Sequence, residues 1–124
     1  MKILIAEDDL NILKIARLVL ERVGGHQVTE ATDGRKALQL ALEGNYDLII
    51  LDGMMPGLPG VEVCRQYLQN RQESPRARII FLSAKSSPQD IEEFLQLGEG
   101  YIQKPFEPQK LCALIDDIMS KSAA

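Results

Sequence analysis

No apolar stretch in this sequence is long enough to span a bilayer. The opening run, Ile3-Leu4-Ile5-Ala6, is also too short for the core of a secretory leader. A cytoplasmic protein without a membrane partner is expected. Cysteine is scarce. Cys64 and Cys112 lie far apart with no Cys-x-x-Cys spacing, which argues against a disulfide framework or a zinc site and fits a reducing compartment. Both read as small core residues. Histidine occurs once, at His26, and reads as a surface residue before an edge strand. Positive charge is not in excess: 14 Lys and Arg stand against 18 Asp and Glu, a net charge of -4. A basic face for the nucleic-acid backbone is therefore missing, and direct nucleic-acid binding is not expected. Internal repeats and low-complexity segments are absent too. What remains is 124 residues, 45% hydrophobic and 26% charged, which suits one globular domain over residues 1–124. Residues 120–124 read as a frayed tail or the start of a linker.

Ile3-Leu4-Ile5-Ala6, Asp47-Leu48-Ile49-Ile50-Leu51-Asp52 and Arg78-Ile79-Ile80-Phe81-Leu82-Ser83 are apolar runs that do not alternate with polar residues. Such runs predict strands buried on both faces, as in a parallel sheet. Gln27-Val28-Thr29-Glu30-Ala31 is more polar and suits an edge strand. Tyr101-Ile102-Gln103-Lys104 predicts a short last strand. Between them lie helical patterns. The first has Ile12, Ala16, Val19, Leu20 and Val23 on one face, stopped by Gly24-Gly25. A second opens at Asp33-Gly34, runs through Ala37, Leu38, Ala41 and Leu42, and closes at Gly44-Asn45. Val61, Cys64 and Leu68 mark a third. Pro88 begins a fourth, with inner residues Ile91, Phe94 and Leu95. Leu111, Leu114, Ile115 and Ile118 mark a fifth. Five strands alternating with five helices predict an α/β, flavodoxin-like, doubly wound parallel sheet of order 2-1-3-4-5.

In such sheets ligands bind beyond the carboxyl ends of the strands, at the point where strand order reverses. Those ends carry Glu7-Asp8-Asp9, Asp52, Ser83 and Lys104. Glu7, Asp8 and Asp52 would crowd three carboxylates together, which raises their pKa values or demands a cation. Hard oxygen donors suit Mg²⁺, with Mn²⁺ able to substitute. A metal, an ammonium and a hydroxyl are the parts that phosphoryl transfer requires. Lys104 can pair with a phosphoryl oxygen, or with Asp52 when none is present, and Ser83 can donate to another. Asp9 reads as a charge at a helix start.

At these intervals, Ile3 to Asp9, Asp52-Gly53-Met54-Met55-Pro56 with Gly60, Ser83-Ala84, and Tyr101 with Lys104-Pro105-Phe106 resemble the receiver domain of two-component response regulators, including the chemotaxis regulators. The resemblance covers nearly the whole chain. It implies that Asp52 is the phosphoacceptor. It implies that Asp8 and the Met54 backbone carbonyl hold Mg²⁺ with Asp52, while Glu7 acts through water. It implies that Ser83 and Lys104 hold the phosphoryl oxygens, that Tyr101 is the aromatic switch residue with Ser83, and that the Lys104-Pro105 bond is often cis. The implied donor is a phosphohistidine on a histidine kinase or a histidine phosphotransfer protein. The implied output is a protein-interaction surface of helix 4, strand 5 and helix 5, toward a downstream protein or an output domain outside these residues. Such a domain is a signalling switch and not an enzyme beyond its own phosphoryl transfer and dephosphorylation. It is a monomer or a weak, phosphorylation-linked dimer. Two departures stand out. Ser83 replaces a commoner Thr, and Gly98-Glu99-Gly100-Tyr101 is one residue shorter than usual.

Other functions need features that are absent. A dehalogenase-like phosphatase needs a second Asp two residues after Asp52, where Met54 stands. A flavin or nucleotide binder needs a phosphate loop where Glu7-Asp8-Asp9 would repel phosphate. A degenerate receiver that serves only as a docking domain is the remaining alternative. The set Glu7, Asp8, Asp52, Ser83 and Lys104 speaks against it.

Overall fold

The computed structural model describes residues 1–71 and 76–122. Strands β1 (Lys2–Ala6), β2 (Gln27–Ala31), β3 (Leu48–Asp52), β4 (Arg78–Ser83) and β5 (Gly100–Gln103) alternate with helices α1 (Leu10–Arg22), α2 (Gly34–Glu43), α3 (Gly60–Asn70), α4 (Pro88–Leu97) and α5 (Leu111–Ser122). All neighbouring strands pair in parallel, in the order β2-β1-β3-β4-β5. This is the predicted architecture. A single 3₁₀ turn, Pro108–Lys110, leads into α5 and was not anticipated.

The unbroken apolar runs explain the two-sided core. Successive strand residues point to opposite faces. Leu4, Ala6, Ile49, Leu51, Ile79 and Phe81 join Ala37, Ala41, Val63, Cys64, Tyr67 and Phe94 on one face. Ile3, Ile5, Leu48, Ile50, Ile80 and Leu82 join Leu13, Ala16, Leu20, Leu111 and Ile115 on the other. The more polar β2 lies at the sheet edge, with Gln27, Thr29 and Glu30 exposed. Caps fix the helix starts: Asp9 Oδ1 accepts from the Asn11 and Ile12 N–H groups, Asp33 Oδ1 from Lys36 N–H, and Ser87 Oγ from Asp90 N–H.

Three helix-face expectations are corrected. Val23 is 71% exposed, because α1 ends at Arg22 and the chain turns through Gly25 at φ 68°. Leu13, not Val23, completes the buried stripe with Ala16 and Leu20. Leu95 is 55% and Leu114 40% exposed, since each sits beside a stripe already filled by Phe94 or by Leu111 and Ile115. Helix α5 continues to Ser122, past the expected start of a tail at Ser120, and Ala123 and Ala124 lie outside the described residues. The short loop before β5 is tied down twice: Glu99 N–H donates to Ile79 O at 2.7 Å, and Ile79 N–H donates to Glu99 Oε2 at 2.6 Å.

Buried Tyr67 accepts the Ala77 N–H at 2.8 Å and so joins α3 to the segment entering β4. Tyr67→Phe leaves that donor unpaired in the interior. It should destabilise the fold by about 1–2 kcal/mol. Urea denaturation reads this directly, and an unchanged midpoint would show that water replaces the phenol.

Candidate functional site

Glu7, Asp8, Asp52, Met54, Ser83 and Lys104 each follow or end a strand, because the parallel sheet delivers all carboxyl ends to one edge, while Tyr101 lies within β5. Glu7 leaves β1 fully buried, with its N–H donating to Ala31 O on β2 at 3.0 Å. Asp8 is exposed. Asp52 ends β3 and is 3% exposed, and its Oδ1 accepts the Met54 N–H at 3.2 Å. Carboxylate oxygens of Glu7, Asp8 and Asp52 all lie within 4.8 Å of one another. Asp9 takes no part in the cluster and caps α1 instead.

Lys104 reaches this cluster from the end of β5, where its N–H donates to Ser83 O at 2.9 Å. The following peptide bond, Lys104-Pro105, is cis. The ammonium donates to Glu7 Oε1 at 2.9 Å and lies 2.7 Å from Glu7 Oε2, but 3.3 Å from Asp52 Oδ1. Its closer partner is therefore Glu7, whereas sequence reasoning named Asp52. Despite the 2.7 Å approach, Glu7 Oε2 receives no directed hydrogen bond, the one such buried side-chain oxygen among the described residues. The Lys104 ammonium lies against both Glu7 oxygens.

Burial pushes the Asp52 carboxyl up to about 7; the Met54 N–H opposes this, Asp8 and the Glu7 charge add to it, and Lys104 opposes it. Burial works against the Lys104 charge, but its hydrogen bond to Glu7 and the nearby carboxylates outweigh it and hold the ammonium above its ordinary range. Three carboxylates face one ammonium, so the pocket carries excess negative charge. An all-oxygen donor set with three clustered carboxylates fits a hard divalent cation that keeps some of its water. Mg²⁺ and Mn²⁺ meet that description.

Ser83, at the end of β4, is fully buried, and its Oγ accepts the Lys85 N–H at 3.1 Å. Its own proton remains free to donate. Tyr101 on β5 is half-buried, and its hydroxyl donates to Lys85 O at 2.9 Å. One backbone residue, Lys85, thus joins the two positions singled out as a switch. The Met54 side chain is 61% exposed, while its backbone N–H donates to Asp52 Oδ1. Sequence reasoning placed Phe94 in the core but missed that its ring reaches the space beside Gly53 that Ser83 also borders. The available signal was the glycine directly after Asp52.

Comparison with known proteins agrees with this geometry. Residues 3–116 match the family described as the response regulator receiver domain. The chain is 43% identical over 115 residues to the response regulator ArlR of Staphylococcus saprophyticus, covering 92% of this chain and 50% of that protein. It is 37% identical over 123 residues to the transcriptional regulatory protein ResD of Bacillus subtilis, covering 98% and 49%. The chain thus spans about half the length of these curated relatives. Among solved structures, the chemotaxis protein CheY4 of Vibrio cholerae superposes with a TM-score of 0.84 at 29% identity, covering 94% of this chain and 97% of that one. With fold, strand-end chemistry and sequence in agreement, the chain belongs to the response regulator receiver domain family.

Proposed function

We propose that residues 1–124 form one receiver domain that accepts a phosphoryl group on Asp52 from a phosphohistidine and converts it into a change at a protein-interaction surface. The observation that carries this reading is a buried carboxylate flanked by one ammonium and one hydroxyl with a free proton. In the transfer, an Asp52 oxygen forms a bond to phosphorus. The bond from phosphorus to the donor imidazole nitrogen breaks, and the imidazole leaves with the electron pair and gains a proton. Lys104 turns from Glu7 and Asp52 to a phosphoryl oxygen, and Ser83 donates to another. Asp8, Asp52 and the Met54 carbonyl would hold Mg²⁺, with Glu7 acting through water. The ion supplies the positive charge that lets an anionic donor approach a carboxylate cluster. The donor partner is a histidine kinase or a histidine phosphotransfer protein. The output surface is the α4, β5 and α5 face. It acts on a downstream protein or on an output domain, as the transcriptional names and greater length of relatives suggest. The domain catalyses only its own phosphoryl transfer and loss.

The reading is tested with acetyl phosphate and Mg²⁺, which should add one phosphoryl group that hydroxylamine removes. No mass gain with either this donor or a phosphorylated kinase would overturn it. The metal site has its own test. Asp8→Ala removes one repelling carboxylate, so it should weaken Mg²⁺ binding at least tenfold while raising thermal stability in metal-free buffer by about 1 kcal/mol. Calorimetric titration and melting curves read the two effects. Mg²⁺ affinity equal to the parent's would remove Asp8 from the ligand set.

A further inference from the structure

Gly53 follows Asp52 directly, and its bare Cα matters. A Cβ here would lie 2.8 Å from Ser83 Oγ, 3.1 Å from Phe94 Cζ and 3.2 Å from Ser83 Cβ. Phe94 therefore reaches from α4 to the backbone beside Asp52 and shares that space with Ser83. The residue is 2% exposed. Its ring stacks on Phe81 at a centroid distance of 4.7 Å and on Tyr101 at 5.5 Å, with planes tilted by 24° and 19°. A second link runs through the loop, where Lys85 N–H is held by Ser83 Oγ and Lys85 O by the Tyr101 hydroxyl. The contacts close a circuit through Gly53, Ser83, Lys85, Tyr101 and Phe94.

We infer that Phe94 is the positioning residue that passes the state of Asp52 to helix α4 and to Tyr101. This relay rests on the phosphoryl acceptance proposed above and names how that site is read out. To donate to a phosphoryl oxygen, Ser83 moves toward Asp52 and away from the ring. The gap it leaves is too small for water, and ring atoms facing such a gap lose their contacts outright. Close-packed interiors answer by moving between discrete arrangements, not by keeping the void. Phe94 follows Ser83 and takes α4 with it, because the ring is anchored on that helix. Tyr101 follows through the stack. Gly53 is the complement of Phe94, since any side chain there would displace the ring or Ser83.

Fluoroberyllate with Mg²⁺ mimics a phosphoryl group on a carboxylate and lets the relay be read by amide NMR in the full chain, in Phe94→Leu and in Phe94→Ala. In the parent, amides of Gly53, Met54, Ser83, residues 85–87 and 89–97, and Tyr101 should shift. In Phe94→Ala, Gly53 and Met54 should keep their full shifts while those of residues 91–97 and Tyr101 are lost. Phe94→Leu, which retains part of the volume, should give intermediate shifts and decides the matter if the alanine variant does not fold. A ring that only fills space would not produce this selective loss. Parent-like shifts along α4 and at Tyr101 in the leucine variant and in any folded alanine variant overturn the role of Phe94. Absence of shifts at Gly53 and Met54 in the parent instead overturns phosphoryl acceptance at Asp52, and the relay falls with it.

Discussion

Asp52→Asn abolishes phosphoryl acceptance from acetyl phosphate and from a phosphorylated kinase, while the protein stays folded. The amide is nearly isosteric with the carboxylate, so the backbone of β3 and the hydrogen bond from Met54 to the side-chain oxygen have no reason to change. An amide oxygen is far less nucleophilic and cannot form the acyl phosphate. The variant should also be more stable than its parent in metal-free buffer at pH 8. In the folded protein the Asp52 carboxyl is pushed from 3.8 to about 7, chiefly by burial. Folding therefore favours the protonated form. The penalty for the charged form is fully present above about 7 and is relieved as the pH falls toward 3.8. One pKa unit corresponds to about 1.4 kcal/mol and the rise already includes the pairing with Lys104, so a gain on the order of 2 kcal/mol is expected after the burial of the new amide is set against it. That gain should shrink toward pH 5. Intact-mass analysis and melting curves across pH measure both effects. Undiminished hydroxylamine-labile labelling of the variant would remove Asp52 as the acceptor.

The sequence displays much of this site because a parallel sheet turns strand endings into neighbours. Glu7, Asp52, Ser83 and Lys104 are far apart along the chain, yet each directly follows or ends a strand, and the three apolar runs among those strands were legible from their lack of alternation. The same feature assigned both faces of the sheet to the core, as Ile49 and Ile50 show by entering opposite clusters. Helix faces were less legible. Val23, Leu95 and Leu114 are apolar residues beside a buried stripe, and periodicity alone does not fix how far a helix is rotated about its axis. Partner choice was less legible again. Lys104 could face either of two buried acids, and the shorter distances to Glu7 depend on how β5 enters the site, which no local pattern encodes. The contact between Phe94 and Gly53 joins residues on α4 and after β3, and only the packed structure brings them together.

The pairing of Lys104 with Glu7 leads to the largest expected loss of stability. Among the described residues, this ammonium is the only cationic group within 4.0 Å of either Glu7 or Asp52. Glu7 is fully buried, and without Lys104 it keeps one hydrogen bond, from Asp9 N–H at 3.1 Å. Lys104→Met preserves most of the aliphatic stem and removes the charge. Breaking a buried pair from one side costs about 3–5 kcal/mol, because the remaining charge loses both water and partner. For a domain of this size that corresponds to a melting temperature lower by roughly 10 °C. The conditions decide the size of the effect. In the parent, the Lys104 charge is stabilised in the folded state, so its contribution is fully present below the ordinary lysine value of 10.5 and is lost only as pH rises through the higher folded value. In the variant, two buried carboxyls and Asp8 face one another with no cation. The deficit should be largest at pH 8 without metal and should shrink as pH falls, when a carboxyl takes up a proton. Mg²⁺ should shrink it as well, by replacing the lost positive charge at pH 8. Lys104→Arg, which keeps the charge but not the compact ammonium, should lose less than the methionine variant. Melting curves at pH 8 and pH 5, with and without Mg²⁺, measure all three dependences. A methionine variant that melts with the parent at pH 8 in metal-free buffer would show that solvent reaches the carboxylates and that the ion pair does not hold the strand ends together.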